Sequence, residues 1–296
     1  MTEHIIDISE QGVRLTVRLS CLVIHRVESG ETVVPFEEVG VLLVSNKAVG
    51  YTHAVLAELA GHGGVLVVCD DRHLPVGMML PLAGHHLQSE RFSRQAEASK
   101  PTQKRIWQQL VQSKVALQGR ILRDLRGNDH GLIRMATLVR SGDADNIEAQ
   151  ASRRYWQFLF NDPAFRRDRE AEDQNRLLNY GYAVLRAMVA RAICAAGLHP
   201  SLGVHHHNRY DAFPLADDLM EPYRPIVDRA AVLIVDAYGP DVPLNREVKG
   251  ALIGALLNRF EVEGEARTLW DILFRMAASL AQVYAGDRKE LFLPDI

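Results

Sequence analysis

The chain has 296 residues, of which 47% are hydrophobic and 24% charged. That size and balance exclude a disordered tail, a collagen-like fibre and a small disulfide-stapled scaffold; they suit one large domain or two ordinary ones. A formal net charge of −3 excludes a uniformly basic coat for nucleic acid. A local basic patch stays open, because surface potential follows where the charges sit.

The N-terminal stretch MTEHIIDISE carries acids and no apolar run, unlike a signal peptide. No apolar stretch approaches the ~20 residues that span a bilayer. Cys21, Cys69 and Cys194 are odd in number, far apart and set in apolar surroundings, which predicts reduced thiols rather than a disulfide framework or zinc site. The expectation is a soluble, cytoplasmic protein with no membrane partner.

Residues 1–84 read as strand-rich. Ile5–Ile8, Val13–Arg18 and Cys21–Ile24 are short β-branched runs, the second alternating apolar with polar. Turn signals at Glu10-Gln11-Gly12 and Glu28-Ser29-Gly30 separate them. Val39–Ser45 and Val65–Cys69 are continuously apolar, as strands covered on both faces are. Tyr51–Ala60 reads as a short helix ended by Gly61.

Beyond Gly84 the texture turns helical. Glu90–Arg126 reads as one long polar helix, followed by helices over Asn146–Phe160, Gln174–Ala196, Ile226–Ala237, Arg246–Phe260 and Thr268–Tyr284. Gly197 and Gly239 follow two of these, where C-terminal glycines belong. The expected fold class is α+β, with a small β-rich domain over 1–84 and a larger α-helical domain over 85–296.

Chemistry concentrates in Gly203-Val204-His205-His206-His207-Asn208 and in Leu215-Ala216-Asp217-Asp218-Leu219-Met220-Glu221-Pro222-Tyr223-Arg224-Pro225. Residues 215–221 predict a short helical turn, with Pro222 opening the next helix. Asp218 and Glu221, three apart, then lie on one side. In an extended run adjacent histidines face opposite ways, so either His205 with His207, or His206 alone, faces a single site. No second His/Cys cluster completes a tetrahedral zinc set. Carboxylates with one imidazole suit Mg²⁺ or Mn²⁺ better. A further acid, Glu148, opens the helix Asn146–Phe160, with small Ala151 and Ser152 on its face.

Positive charge gathers between Arg91 and Arg126: nine basic residues (Arg91, Arg94, Lys100, Lys104, Arg105, Lys114, Arg120, Arg123, Arg126) against Glu97 and Asp124. Such a run supplies phosphate contacts without reading sequence. Outside this run Arg224, three residues after Glu221, is the basic residue expected nearest the acids, with Lys249 and Arg246 as weaker candidates. Tyr155, Trp156 and the apolar face of Thr268–Tyr284 are read as packing.

Three pieces together resemble the CRISPR-associated spacer integrase, the first protein of CRISPR adaptation. They are Glu148 within Glu-Ala-x-Ala-x-x-x-Tyr-Trp, His206 closing Gly203-x-x-His, and Asp218-Leu-Met-Glu221-Pro-x-Arg224-Pro. Gly197-Leu198-His199-Pro200-Ser201-Leu202-Gly203 with the histidine run, and Asn179-Tyr180-Gly181-Tyr182, are similar to the branch found in type II systems. The resemblance implies that Glu148, His206 and Glu221 are the catalytic and metal-binding residues. It makes Asp218 a supporting acid and leaves His205 as the fallback histidine. It implies attack of a DNA 3′-hydroxyl on a phosphodiester of the CRISPR repeat, with Mg²⁺ or Mn²⁺ as cofactor. The implied partners are double-stranded DNA (a captured fragment and the repeat), a second copy of the chain joined through the β-rich domain, and a small second adaptation protein. Arg224, Arg91, Arg94, Lys104 and Lys249 are the expected DNA contacts. A metal-dependent nuclease of branched DNA, a non-catalytic DNA-binding scaffold and a zinc hydrolase are the rival readings.

Overall fold

The computed structural model describes residues 3–27, 30–70, 74–206 and 210–296. The expected turn at Glu28-Ser29 and His207 of the histidine run lie outside the described residues. The strands come first: β1 (His4–Ile8), β2 (Arg14–Arg18), β3 (Cys21–Arg26), β4 (Gly30–Pro35), β5 (Val39–Val44), β6 (Gly50–Tyr51), then helix α1 (His53–Gly61), β7 (Val65–Cys69) and β8 (Pro75–Met79). One sheet has the order β1-β5-β7-β8, the first three strands parallel and β8 antiparallel to β7. A second sheet has the order β4-β3-β2-β6.

The first sheet is covered on both sides, as its unbroken apolar runs require. Leu42, Val44 and Leu66 face a core shared with Leu15, Leu22, Ile24 and the α1 residues Val55 and Leu59. Val41, Leu43, Val65 and Val67 face the opposite way, into the main helical core. This alternation follows from the two-residue period of a strand.

The helices follow: α2 (Gln88–Ala96), α3 (Lys100–Arg126), α4 (Leu132–Thr137), α5 (Ile147–Leu159), α6 (Asn175–Ala195), α7 (Pro214–Met220), α8 (Arg224–Tyr238) and α9 (Arg246–Leu257). A hairpin of β9 (Arg259–Val262) and β10 (Glu265–Thr268) precedes α10 (Leu269–Ala285). The architecture is α+β, strand-rich at the N-terminus and helical beyond.

The expected single helix over 90–126 is broken at residues 97–99. Ser99 caps α3 by accepting from the Thr102 N–H, and Pro101 sits in the first turn. That position tolerates a residue with no N–H to give. The expected helix to Phe260 stops at Leu257, because Glu263 and Gly264 both adopt positive φ and turn the chain into the β9–β10 hairpin. The α6 helix is the central rod, buried along most of its length. Its Tyr180 hydroxyl donates to Asp7 at 2.8 Å and its Arg191 pairs with Glu3 at 2.5 Å, fastening β1 and the segment before it to the helices. A Cβ on Gly181 would stand 2.3 Å from Val227 Cγ1, so this glycine sets how closely α8 approaches α6.

Candidate metal centre

Two separate segments bring Glu148 and Glu221 to one cation, and a third sets His206 near enough for their charges to act on it. Glu148 sits in the first turn of α5. Asp143 sets that turn by accepting from the N–H groups of Ile147 and Glu148 at 2.8 and 3.0 Å, the role an N-cap carboxylate normally fills. Glu221 opens a 3₁₀ turn, Glu221–Tyr223, wedged between α7 and α8. Pro222 therefore lies in this linking turn and not in the first turn of α8, which Pro225 occupies instead.

Asp218, on α7, is a fully buried carboxylate with four donors around it. Its Oδ2 accepts from the N–H groups of Val204 and His205 at 2.6 and 2.9 Å. Its Oδ1 accepts from the His206 N–H at 3.2 Å and from His206 Nδ1 at 2.5 Å. Burying a carboxylate is costly unless its lone pairs are satisfied, and here the turn around Gly203 satisfies them. With Nδ1 committed as donor, Nε2 carries the imidazole lone pair. A buried carboxylate that fixes a histidine tautomer in this way is the common support behind a metal-ligating imidazole. The hydrogen bond to Asp218 raises the His206 pKa; partial burial opposes this, and the charges of Asp218, Glu221 and Glu148 add to it. The His205 ring lies flat on Trp107, centroids 4.1 Å apart, and the His206 ring stands edge-on to the same indole at 5.4 Å.

The two glutamates converge on one cation. Lys114 of α3 places its ammonium 2.7 Å from Glu148 Oε1 and 2.5 Å from Glu221 Oε2. Because both oxygens touch one nitrogen, they stand no further apart than those two contacts combined. Lys114 is the close partner of the buried Glu221 Oε2. The other Glu221 oxygen, Oε1, is held by Arg224 at 3.0 Å. Burial alone would raise the Glu221 pKa, but Arg224, Lys114 and His206 outweigh it and hold it at about 2. The carboxylate is ionised at any physiological pH.

Two carboxylates and an imidazole are donor types that a hard divalent cation takes. Among the described residues, no three His, Cys, Asp or Glu side chains gather around one point as a finished metal site. The glutamates are bridged by an ammonium instead. The residue types suit such an ion, and the place between the glutamates is held by Lys114.

Beneath the acids lies a second polar cluster that sequence reasoning missed. Asp228 of α8 is buried and accepts from the hydroxyls of Tyr155, at 3.0 Å, and Tyr182. Burial raises its pKa to about 7 against the opposing pull of those hydroxyls, Arg224 and Arg167. The Arg224 guanidinium stands 4.8 Å above the Tyr182 ring, joining this cluster to Glu221.

The expected DNA contacts scatter. Arg224 pairs with Glu221 at 3.0 Å, its side chain 24% exposed, so it holds the acid in place. Lys249 is corrected outright: it is 3% exposed, 3.2 Å from Asp7 and over the Tyr180 ring, so it faces the core and not DNA. Lys114 likewise leaves the basic run for the acid pair. Arg91 donates to the Ala196 carbonyl at 2.6 Å and Arg94 pairs with Glu90 at 2.6 Å. Lys104 remains exposed on α3 with Lys100, Arg105 and Arg123. Much of α3 is core, so the basic surface is narrower than its sequence implies.

Comparison with known proteins decides the family. The model of the CRISPR associated protein Cas1 family matches residues 6–238. The chain belongs to the Cas1 family. A CRISPR-associated endonuclease Cas1 of Neisseria meningitidis serogroup C (strain 8013) is 36% identical over 292 residues, covering 97% of this chain and 94% of that protein. Among solved structures, a casposase bound to integration product superposes with a TM-score of 0.80 at 19% identity, over 99% of this chain and 93% of that one. A Cas6-RT-Cas1–Cas2 complex gives 0.77 at 19% identity, covering 97% of this chain and 35% of the other. At such identities the structural likeness speaks for the Cas1 fold alone. Among the described residues, no helix is long and apolar enough to cross a membrane.

Proposed function

We propose that this Cas1-family chain is a metal-dependent DNA integrase of CRISPR adaptation, joining the 3′-hydroxyl of a captured fragment to a phosphodiester of the CRISPR repeat. The observation that carries the reading is the convergence of Glu148 and Glu221 on one cation, near an imidazole whose Nδ1 is engaged by Asp218. Glu148, Glu221 and His206 would hold Mg²⁺ or Mn²⁺. Bound there, the ion would stabilise charge on the phosphoryl oxygens and favour ionisation of the attacking hydroxyl.

The chain's own side chains do the rest by position. Asp218 fixes the His206 tautomer and ring plane, and Arg224 fixes one oxygen of Glu221 so that the other faces Glu148. The chemistry asks for placement and charge more than for a protein nucleophile. Lys100, Lys104, Arg105 and Arg123 on the exposed side of α3 are the proposed phosphate contacts. The strand-rich residues 1–84 are assigned to homodimer contacts and residues 85–296 to catalysis. A small second adaptation protein is the remaining partner, in keeping with the Cas1–Cas2 complex among the fold's relatives. The casposase caught with its integration product supports the direction of the chemistry.

The test supplies a fragment with free 3′ ends together with a supercoiled repeat plasmid and Mn²⁺. Joined product from the wild type, and none from a normally folded Glu148→Ala, is the expected result. Shortened DNA without joined product would make the chain a nuclease that uses water in place of the 3′-hydroxyl. Joining that survives Glu148→Ala would refute the site.

A further inference from the structure

The acid pair is already neutralised by the protein. Lys114 projects from the buried face of α3, two turns after Trp107 and between Val111 and Val115. Its side chain is 9% exposed. A lysine in such a place carries a severe desolvation cost unless opposite charge meets it, and removing one partner from a buried pair costs far more than the pair itself contributes. Here Glu148 and Glu221 meet it together, while Arg224 balances the remaining charge at Glu221. Two acids and two bases leave the cluster neutral.

A divalent ion entering beside the ammonium would turn that neutral cluster strongly positive. The ammonium and the ion therefore exclude each other from the space between the glutamates. Lysine is suited to give way, being a compact charge on a flexible four-carbon stem. The side toward Glu148 and His206 is open to solvent, their side chains being 23% and 42% exposed.

We propose that Lys114 is a built-in counter-ion of the metal site: it holds Glu148 and Glu221 together while the ion is absent, and divalent binding displaces it toward the solvent-open side. The inference rests on the metal-centre reading above and adds a competitor to it. Apparent affinity falls by the fraction of molecules whose site is free. With the free site populated at roughly 1–10%, removing the competitor tightens binding by about 10- to 100-fold.

Mn²⁺ titration of the full-length protein, wild type against Lys114→Met, reads this directly. Tighter Mn²⁺ binding by the variant, together with a lower melting temperature in chelator, is the expected pair of results. A role in structure alone would lower stability without tightening the metal. Binding that is unchanged or weaker in the variant overturns the proposal while leaving the metal centre standing. No Mn²⁺ binding by either protein overturns both.

A second measurement needs no variant. Acylation of wild-type lysines, mapped by peptide mass spectrometry, is expected to spare Lys114 in chelator. Mn²⁺ should raise its labelling several-fold relative to exposed Lys100 and Lys104 on the same helix. Labelling of Lys114 that ignores Mn²⁺ overturns the displacement.

Discussion

Replacing Asp218 by asparagine tests the support of the site without changing its volume. The carboxylate accepts four N–H contacts, two at each oxygen, from Val204, His205 and His206. An amide keeps one acceptor oxygen and turns an NH₂ toward whichever pair it abandons. Hydrogen bonds to a charged group are worth about 1.5–3 kcal/mol each. Losing two predicts a destabilisation of about 3–6 kcal/mol, undiminished by solvent because the side chain is 0% exposed. At roughly 2–4 °C per kcal/mol for a chain of this order, the melting temperature should fall by roughly 6–24 °C. His206 also loses the partner that fixes its tautomer, and losing such a partner typically costs about 10- to 100-fold in metal affinity or rate. Thermal melting in chelator reads the first effect, and Mn²⁺ titration with strand joining at low temperature reads the second. A variant melting within about 2 °C of the wild type, with joining and metal affinity intact, would show that Asp218 does not organise the site.

Gly203→Ala should act on the same turn from outside. Its Cβ would stand 2.5 Å from the His206 carbonyl oxygen and 3.0 Å from Pro214 Cβ. Overpacking of this kind costs about 1–3 kcal/mol and should shift His206; an unchanged melt and unchanged joining would contradict the close approach. Asp228→Asn is a stability test with a pH signature. The Asp228 pKa rises from 3.8 to about 7 on folding, so its stabilising contribution is complete below 3.8 and is lost as pH climbs through 7. The wild type should lose up to about 4 kcal/mol relative to the variant over that window. A stability difference that stays flat from pH 4 to pH 8 would refute the buried carboxyl.

The parts of the fold that periodicity controls were legible: strands β1, β5 and β7, helices α5, α6 and α10, and the change from strand to helix near residue 84. Strands β4 and β8 escaped because Gly30, Pro35, Pro75 and Gly77 interrupt short runs that neighbours complete. The break before α3 was in fact written, as Ser99 followed by Pro101, but a long polar stretch masked it. In the site, Glu148 and Glu221 stood out through motif spacing, while the cation between them did not. Lys114 reaches across 34 residues to Glu148, and a linear run of charges looks the same whether a lysine faces water or a distant acid. The clue available was its place on the apolar stripe of α3 with Trp107 and Val111. The Tyr155–Asp228–Tyr182 cluster had no local signal at all, since its members come from three different helices.

Tyr180 and Tyr182 stand two positions apart on α6, yet one grips β1 through Asp7 and the other grips α8 through Asp228. One helix therefore ties the strands to the helix that follows the Glu221 turn. A body docked on the strand-rich half would meet the acids through that helix, whose length would then enter the spacing between two such sites in an assembly.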